Sequence, residues 1–433
     1  MKWMIWLRSW NTRSGKRWRR RHVSRRGVES VQIESLEART LPTVSFQFDY
    51  RYDTNHFFDS SERRAALETA GHLVADQLTD SLSAIQPSGS NRWSPTITNP
   101  GNGSLITLPG TTSVAANTIL VFAGGFSMNA AGLGGPGGFS VSGTNAWRAN
   151  VRSRGQSGAI SATNPTDTAP WGGSVSFDSV GVNWHFGATT AGLTSTKADF
   201  VSLAVHELMH VVGFVNSNKA FTRNINGSGL FTGTNAVNAN NHHAVPVDPS
   251  HGHWREGQRS SGLETAMDPT IDAGTRKLLT PLDRAALTDM GWTLTTVDDT
   301  LFTAPHLLTH FGTTATLRDS ASVSTSIESA RDVDLQRIYG TAGTTLIVTV
   351  TPAVGLDSYL RLFDQSGREL TFANATGINT ADTLTFTLPR GDFYYVGISS
   401  AAHRDYNPLV LGSGSSGPLG TYQLTVSMIG GLA

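Results

Sequence analysis

The chain has 433 residues, of which 38% are hydrophobic and 9% aromatic, enough to build two domains with real cores and too apolar for wholesale disorder. Its 33 basic and 33 acidic side chains cancel, yet the first 40 residues hold 11 basic against 3 acidic, leaving 22 against 30 in the remainder. A mildly acidic body lacks the electrostatic footprint of a nucleic-acid binder, and the absence of cysteine excludes disulfides, thiolate catalysis and Cys-ligated zinc.

Residues 1–43 read as a basic, disordered leader. Met4, Ile5, Trp6 and Leu7 are too few for a secretory apolar core, and no run of about 18 apolar residues exists to form a transmembrane helix. Val44–Tyr50 alternates apolar and polar residues and predicts a strand. Leu67, Ala70, Val74 and Leu78 recur at helical spacing and predict an amphipathic helix over roughly 61–83, with Asp59 and Glu62 as its cap. Residues 85–117 read as loop with short strands, and Thr118–Ala123 as a buried strand. The glycine-rich stretch Gly124–Gly138 lacks a Gly-Lys-Ser/Thr ending and reads as a flexible loop, not a phosphate cradle. Ser174–Asp178 and Val182–Phe186 alternate like a sheet edge.

A helix is expected over Thr196–Val212, with Thr196 and Asp199 as a cap and Gly213 at its end. Residues 214–262 look irregular. A shorter helix starts at Thr280-Pro281, with Asp283 behind the cap, and stops at Gly291. Beyond residue 300 the texture changes to short strands at 346–350, 359–363, 384–388, 394–398 and 422–426, the pattern of an all-β sandwich. The expected organisation is a leader (1–43), an α+β domain with a mixed sheet (44–300), a linker (301–324) and a β-sandwich (325–433).

The chemistry concentrates in His206-Glu207-Leu208-Met209-His210. Residues four apart share a helix face, so both imidazoles can reach one Zn²⁺, while Glu207 is rotated away by about 100° and can address a metal-activated water without ligating. The carboxylate would take the proton as water attacks a peptide carbonyl, then pass it to the leaving amine. A catalytic zinc needs a third protein ligand and an open position. The next histidines are His242, His243, His251 and His253. Glu256 or Glu264 would suit the site only from a second helix, which Gly257, Ser260, Ser261 and Gly262 disfavour.

The stretch His206–Trp292 resembles the leishmanolysin branch of the metzincins, carried by the zinc-helix motif with Gly213, by Gly229–Ala236, by His253-Trp254 and by Glu264-Thr265-Ala266-Met267-Asp268-Pro269. Trp171-Gly172-Gly173 and Asn183-Trp184-His185-Phe186 are similar to related bacterial proteins. The resemblance implies a metzincin-like catalytic domain in which His206, His210 and His253 hold zinc, Glu207 is the general base, and Met267 forms the floor beneath the metal. His251 stands as the alternative third ligand. Three departures are plain: the chain has no Cys where eukaryotic leishmanolysins are disulfide-rich, which makes the bacterial part of the group the closer comparison, and two more concern the site. Asn216 occupies the place where the common metzincin pattern has a His or Asp, and no Tyr follows Met267 closely to serve an oxyanion.

The C-terminal part resembles the bacterial pre-peptidase C-terminal domain through Asp332–Leu335, Leu356–Asp364, Leu388–Gly397 and Gly420–Thr425. Asp332, Asp334 and Asp357 offer the oxygen ligands that Ca²⁺ takes, or else serve as solvated turn residues. Ile33–Leu41 resembles the leader of exported planctomycete proteins. The expected function is an exported zinc endopeptidase acting on extracellular or envelope protein. The competing expectation is an inactive zinc-containing adhesion protein whose sandwich carries the function.

Overall fold

Alternating burial forms strand β1 (Ser45–Asp49), whose Phe46 and Phe48 pack towards the core. The computed structural model describes residues 44–430 except 162, 189, 191, 261–262, 296–297, 302–303, 305–306, 308–317, 354, 376 and 411–412, so the expected leader lies outside the described residues. β2 (Thr118–Phe126) pairs in parallel with β1 on one side and with β4 (Gly172–Asp178) on the other. Between β2 and β4 in sequence lies β3 (Gly132–Pro136), which pairs antiparallel with the outer edge of β4 and completes the sheet order β1-β2-β4-β3. The glycine-rich stretch expected as a flexible loop is therefore strand except at residues 127–131 and 137: β2 runs on to Phe126, β3 follows, and Gly138–Ser142 enters a small second sheet with Arg92–Thr98 and Leu105–Thr107. Glycine hides strands from pattern reading because it contributes no apolar side chain to alternate.

Helix α1 (Ser61–Ala75) is shorter than the periodicity predicts. Leu78 and Leu82 remain fully buried after it ends, so the apolar spacing persists without helical backbone. The expected Asp59–Glu62 cap does not form: Ser60 is the N-cap and makes no side-chain cap bond. Asp53 instead accepts the backbone N–H groups of Phe57 and Phe58 in the preceding turn.

α1 packs against α2 (Phe200–Val211), and all twelve residues of α2 are buried. Asp199 is the actual cap of α2, accepting from Ser202 N at 3.0 Å, and a buried ion pair with Arg276 at 2.7 Å neutralises it. The helix ends as the sequence predicts. Gly213 has φ +109°, the Phe214 N–H reaches the Met209 carbonyl and the Gly213 N–H reaches the His210 carbonyl, which together satisfy two last-turn acceptors. α3 (Pro281–Asp289) begins with the expected capping box between Thr280 and Asp283. Trp292 folds back beyond it and donates its indole N–H to the Val212 carbonyl at 3.0 Å. The segment expected to be irregular holds two short helices, Lys219–Thr222 and Thr234–Ala239, and short two-residue strands.

The C-terminal part contains two four-stranded antiparallel sheets. One joins β5 (Arg318–Ile327), β12 (Gly420–Ile429), β7 (Thr345–Pro352) and β10 (Asp382–Thr387) in that order. The other joins β6 (Asp334–Gly340), β11 (Asp392–Ser400), β8 (Ser358–Asp364) and β9 (Glu369–Ala373). Val348, Val350 and Val426 from the first sheet and Leu360, Leu362 and Val396 from the second share one buried cluster, a sandwich-like arrangement. β5 starts at Arg318, inside the segment expected as linker. A second apolar cluster runs from the α1 and α2 core into this part, through Leu301, Val333, Leu335, Phe363, Tyr395 and Leu409. Among the described residues no helix is long and apolar enough to cross a membrane.

Candidate metal centre

α2 presents His206 and His210 one turn apart on one face, with ring centroids 4.8 Å from each other. His253 comes from a distant loop and closes the triangle at 5.0 and 4.9 Å. One ligand nitrogen from each of the three lies within 4.8 Å of the other two, and among the described residues this is the group of His, Asp and Glu side chains that converges in this way.

The orientation of each ring has a cause. The Nδ1–H of His206 donates to the Ala266 carbonyl at 2.8 Å, and that of His210 to the Phe214 carbonyl at 2.6 Å. His253 turns Nδ1 towards the Asp248 carboxylate at 3.8 Å. Each Nδ1 facing an acceptor carries the proton, so each Nε2 lone pair points into the shared space. His210 Nε2 and His253 Nε2 are 3.2 Å apart. Two nitrogens each about 2 Å from a tetrahedral ion are separated by about 3.3 Å, so the spacing fits zinc. Burial, reinforced by the neighbouring imidazoles, holds His206 well below the usual histidine range. Burial also lowers His210 to about 4 and pulls His253 down. The trio is thus kept neutral, the form that ligates.

The His253 loop is braced on two sides. Asp248 accepts the backbone N–H groups of Gly252 and His253 at 2.9 and 3.0 Å. Asn216, where the common pattern has a ligand, donates its side-chain N–H to the Ser250 carbonyl at 3.0 Å. The alternatives are engaged elsewhere. His251 is exposed with φ +57°, and His242 and His243 are exposed. Glu256 accepts from the Thr270 hydroxyl and Glu264 pairs with Lys277.

Met267 is fully buried, and its carbonyl accepts the Trp254 N–H at 3.0 Å, which ties the turn to the residue after His253. Asp283 joins the pieces. Its carboxylate accepts from Ala266 N, Met267 N, the Trp254 indole and Thr280. The sequence shows Asp283 only as a helix cap and gives no sign of Asp248, although an Asp five residues before a His in a Gly/Ser loop is a recognisable turn signal.

Glu207 is 4% exposed and faces a cleft of about 410 Å³ lined by Leu133, Trp184, Leu203 and Ile271 among others. Burial pushes its carboxyl up to about 8, opposed by the nearby backbone N–H of Gly134. β3 forms the wall above. Ala131 O accepts from Asp178 N and Gly137 N donates to Gly172 O, so odd-numbered residues bond to β4 while Gly132 and Gly134 turn their backbone groups to the free edge.

The aspartates expected to offer calcium ligands do not gather as one set. Asp334 accepts the Tyr422 hydroxyl and sits in a field of acids with Asp298, Asp332 and Glu328. Asp332 caps the Glu328 N–H, and Asp357 stands beside Asp382.

No protein-family model matches the chain. No curated protein matches it. Among solved structures it is similar to the pre-peptidase C-terminal domain of collagenase from Bacillus anthracis, with 16% identity over 25% of this chain and 88% of that one at TM-score 0.19. It is also similar to a periplasmic lysozyme inhibitor of g-type lysozyme from Aeromonas hydrophila, with 14% identity over 29% of this chain and 97% of that one at TM-score 0.20. CorA, a surface-associated copper-binding protein of Methylomicrobium album BG8, shares 13% identity over 25% of this chain and 92% of that one at TM-score 0.17.

Proposed function

We propose that the chain is a zinc-dependent endopeptidase of the leishmanolysin-like metzincin type, exported to act on extracellular or envelope protein. The observation that carries the reading is the convergence of three Nε2 lone pairs from His206, His210 and His253 beside the buried carboxyl of Glu207. Zinc, when bound there, supplies Lewis acidity towards water and a peptide carbonyl. The leader-like stretch Ile33–Leu41 supports export.

The chain's own groups then have distinct tasks. Burial raises the Glu207 carboxyl to about 8 in the metal-free chain, which favours its protonated form; a cation held by the histidines would favour the carboxylate, the form a general base needs, and the proton it takes could then pass to the leaving amine. The free edge of β3 offers backbone groups for an extended peptide to pair with, which holds the scissile bond over the histidines without reading its side chains. Leu133, Leu203 and Ile271 exclude water around it.

The test is hydrolysis of unfolded casein by the purified full chain, with zinc quantified in the same sample. Chelator-sensitive cleavage that disappears in Glu207→Gln while zinc stays at one per chain supports the reading. Stoichiometric zinc with no cleavage by the parent protein would instead favour the adhesion alternative.

A further inference from the structure

The chain places glycine at alternate positions of β3, and both meet the same residue. A Cβ added at Gly132 would lie 2.5 Å from Glu207 Oε1 and 3.0 Å from Leu203 Cδ2. One added at Gly134 would run into the Glu207 carbonyl oxygen and sit 2.8 Å from Glu207 Cβ and Oε2. Gly135, between them and Pro136, has open space on the side where its Cβ would go. None of these three glycines has positive φ, so backbone conformation does not demand glycine at any of them. At 132 and 134 the demand is for closeness to the helix.

We propose that Gly132 and Gly134 are positioning residues for Glu207: their missing side chains let the edge strand lie directly on α2, so that the strand backbone sits against the carboxylate and fixes its direction. This rests on the reading of Glu207 as the base. His206 and His210 have imidazole-to-carbonyl bonds to orient them, whereas the side chain of Glu207 is confined by the strand that lies against it. A displacement of about 1 Å at such a group costs up to about 100-fold in rate. Gly132 and Gly134 act on different parts of the base. An alanine at 132 pushes side chains only, the carboxylate first and the Leu203 methyl after it. An alanine at 134 meets rigid helix backbone, so the strand must lift away from the carboxylate.

Three variants of the full chain test this against one another. Gly135→Ala adds a methyl to open space and should keep the parent's kcat, KM and thermal midpoint. Gly132→Ala should lower kcat at least 10-fold, with KM within about 2-fold and zinc still one per chain. Gly134→Ala should lower kcat further and also lower the thermal midpoint. The independent readout is a double-mutant cycle on thermal midpoints of the metal-free protein. Gly132→Ala should lower the midpoint when residue 207 is Glu, and more than half of that loss should vanish in the Glu207→Ala background. Equal kcat in Gly132→Ala and Gly135→Ala overturns the positioning role. A midpoint loss that survives removal of Glu207 overturns the contact itself. If the parent protein hydrolyses nothing, the peptidase reading fails, and the midpoint cycle still decides whether the two glycines seat Glu207.

Discussion

The indole N–H of Trp254 donates to the carboxylate of Asp283 at 3.0 Å, joining the residue beside one histidine of the candidate metal site to the cap of a helix 29 positions later. The same carboxylate receives Ala266 N and Met267 N, and the Ala266 carbonyl is the acceptor that orients His206. One buried side chain therefore supports two of the three imidazoles.

Replacing Asp283 with alanine strands those donors in a dry interior. Each buried group left unpaired costs on the order of 1–3 kcal/mol, so the thermal midpoint should fall by several degrees. Zinc affinity should weaken by about 10- to 100-fold, as outer partners of metal ligands typically contribute. Competition against a chromophoric chelator measures it. Unchanged affinity in a folded Asp283→Ala protein would show that the histidines are set without it.

The third ligand can be identified by a pair of substitutions two residues apart. His253→Ala should reduce bound zinc from one per chain to a small fraction, because its Nε2 is one of the three converging atoms. His251→Ala, on an exposed side chain, should leave zinc content as it was. The opposite pattern in metal analysis would move the ligand to His251.

Acid should weaken the metal-free protein through the same trio. His210 is lowered to about 4 in the folded chain against about 6.5 unfolded, so the unfolded state binds more protons between those values. Stability contributed by the buried neutral ring is present above about pH 6.5 and is lost as pH falls towards 4. His206 and His253 shift in the same direction. Thermal midpoints of the chelated protein measured from pH 7.5 to 4.5 should decline, and substituting His210 by Gln should flatten that decline.

The sandwich should respond in the opposite direction. Burial and the charges of Asp332 and Asp298 raise Asp299 to about 8, and Asp334 is likewise raised to about 8 by burial despite the Tyr422 hydroxyl. Groups with raised folded values hold protons that the unfolded chain releases, so their contribution is full below about pH 4 and is lost as pH climbs through 8. Asp299→Asn should raise the thermal midpoint at pH 8 more than at pH 5. An equal shift at both values would mean the acids do not feel one another.

How much of this was legible beforehand depends on what each residue does. His206, Glu207 and His210 announce themselves by spacing, Gly213 by its place after the helix, and Thr280-Pro281 with Asp283 by its cap pattern, because each works through local geometry. His253 is implied only by resemblance, since nothing in the chain between it and His210, 43 positions earlier, says where a loop returns. β3 escaped because a strand made of Gly132, Gly134 and Gly135 has no side-chain rhythm, and the contacts that require glycine there lie on a helix some 70 residues away. The end of α1 was overrun because Leu78 and Leu82 keep burying themselves after the helix stops. Five of the eight described sandwich strands are legible as apolar runs, while β5, rich in serine, β6 and β9 are not.

The apolar cluster that passes from Phe200 and Leu301 to Val333, Phe363 and Tyr395 gives the two parts of the chain a common fate. A protease that trimmed the chain near residue 300 would leave that greasy seam facing water, and the remnant would be expected to clump.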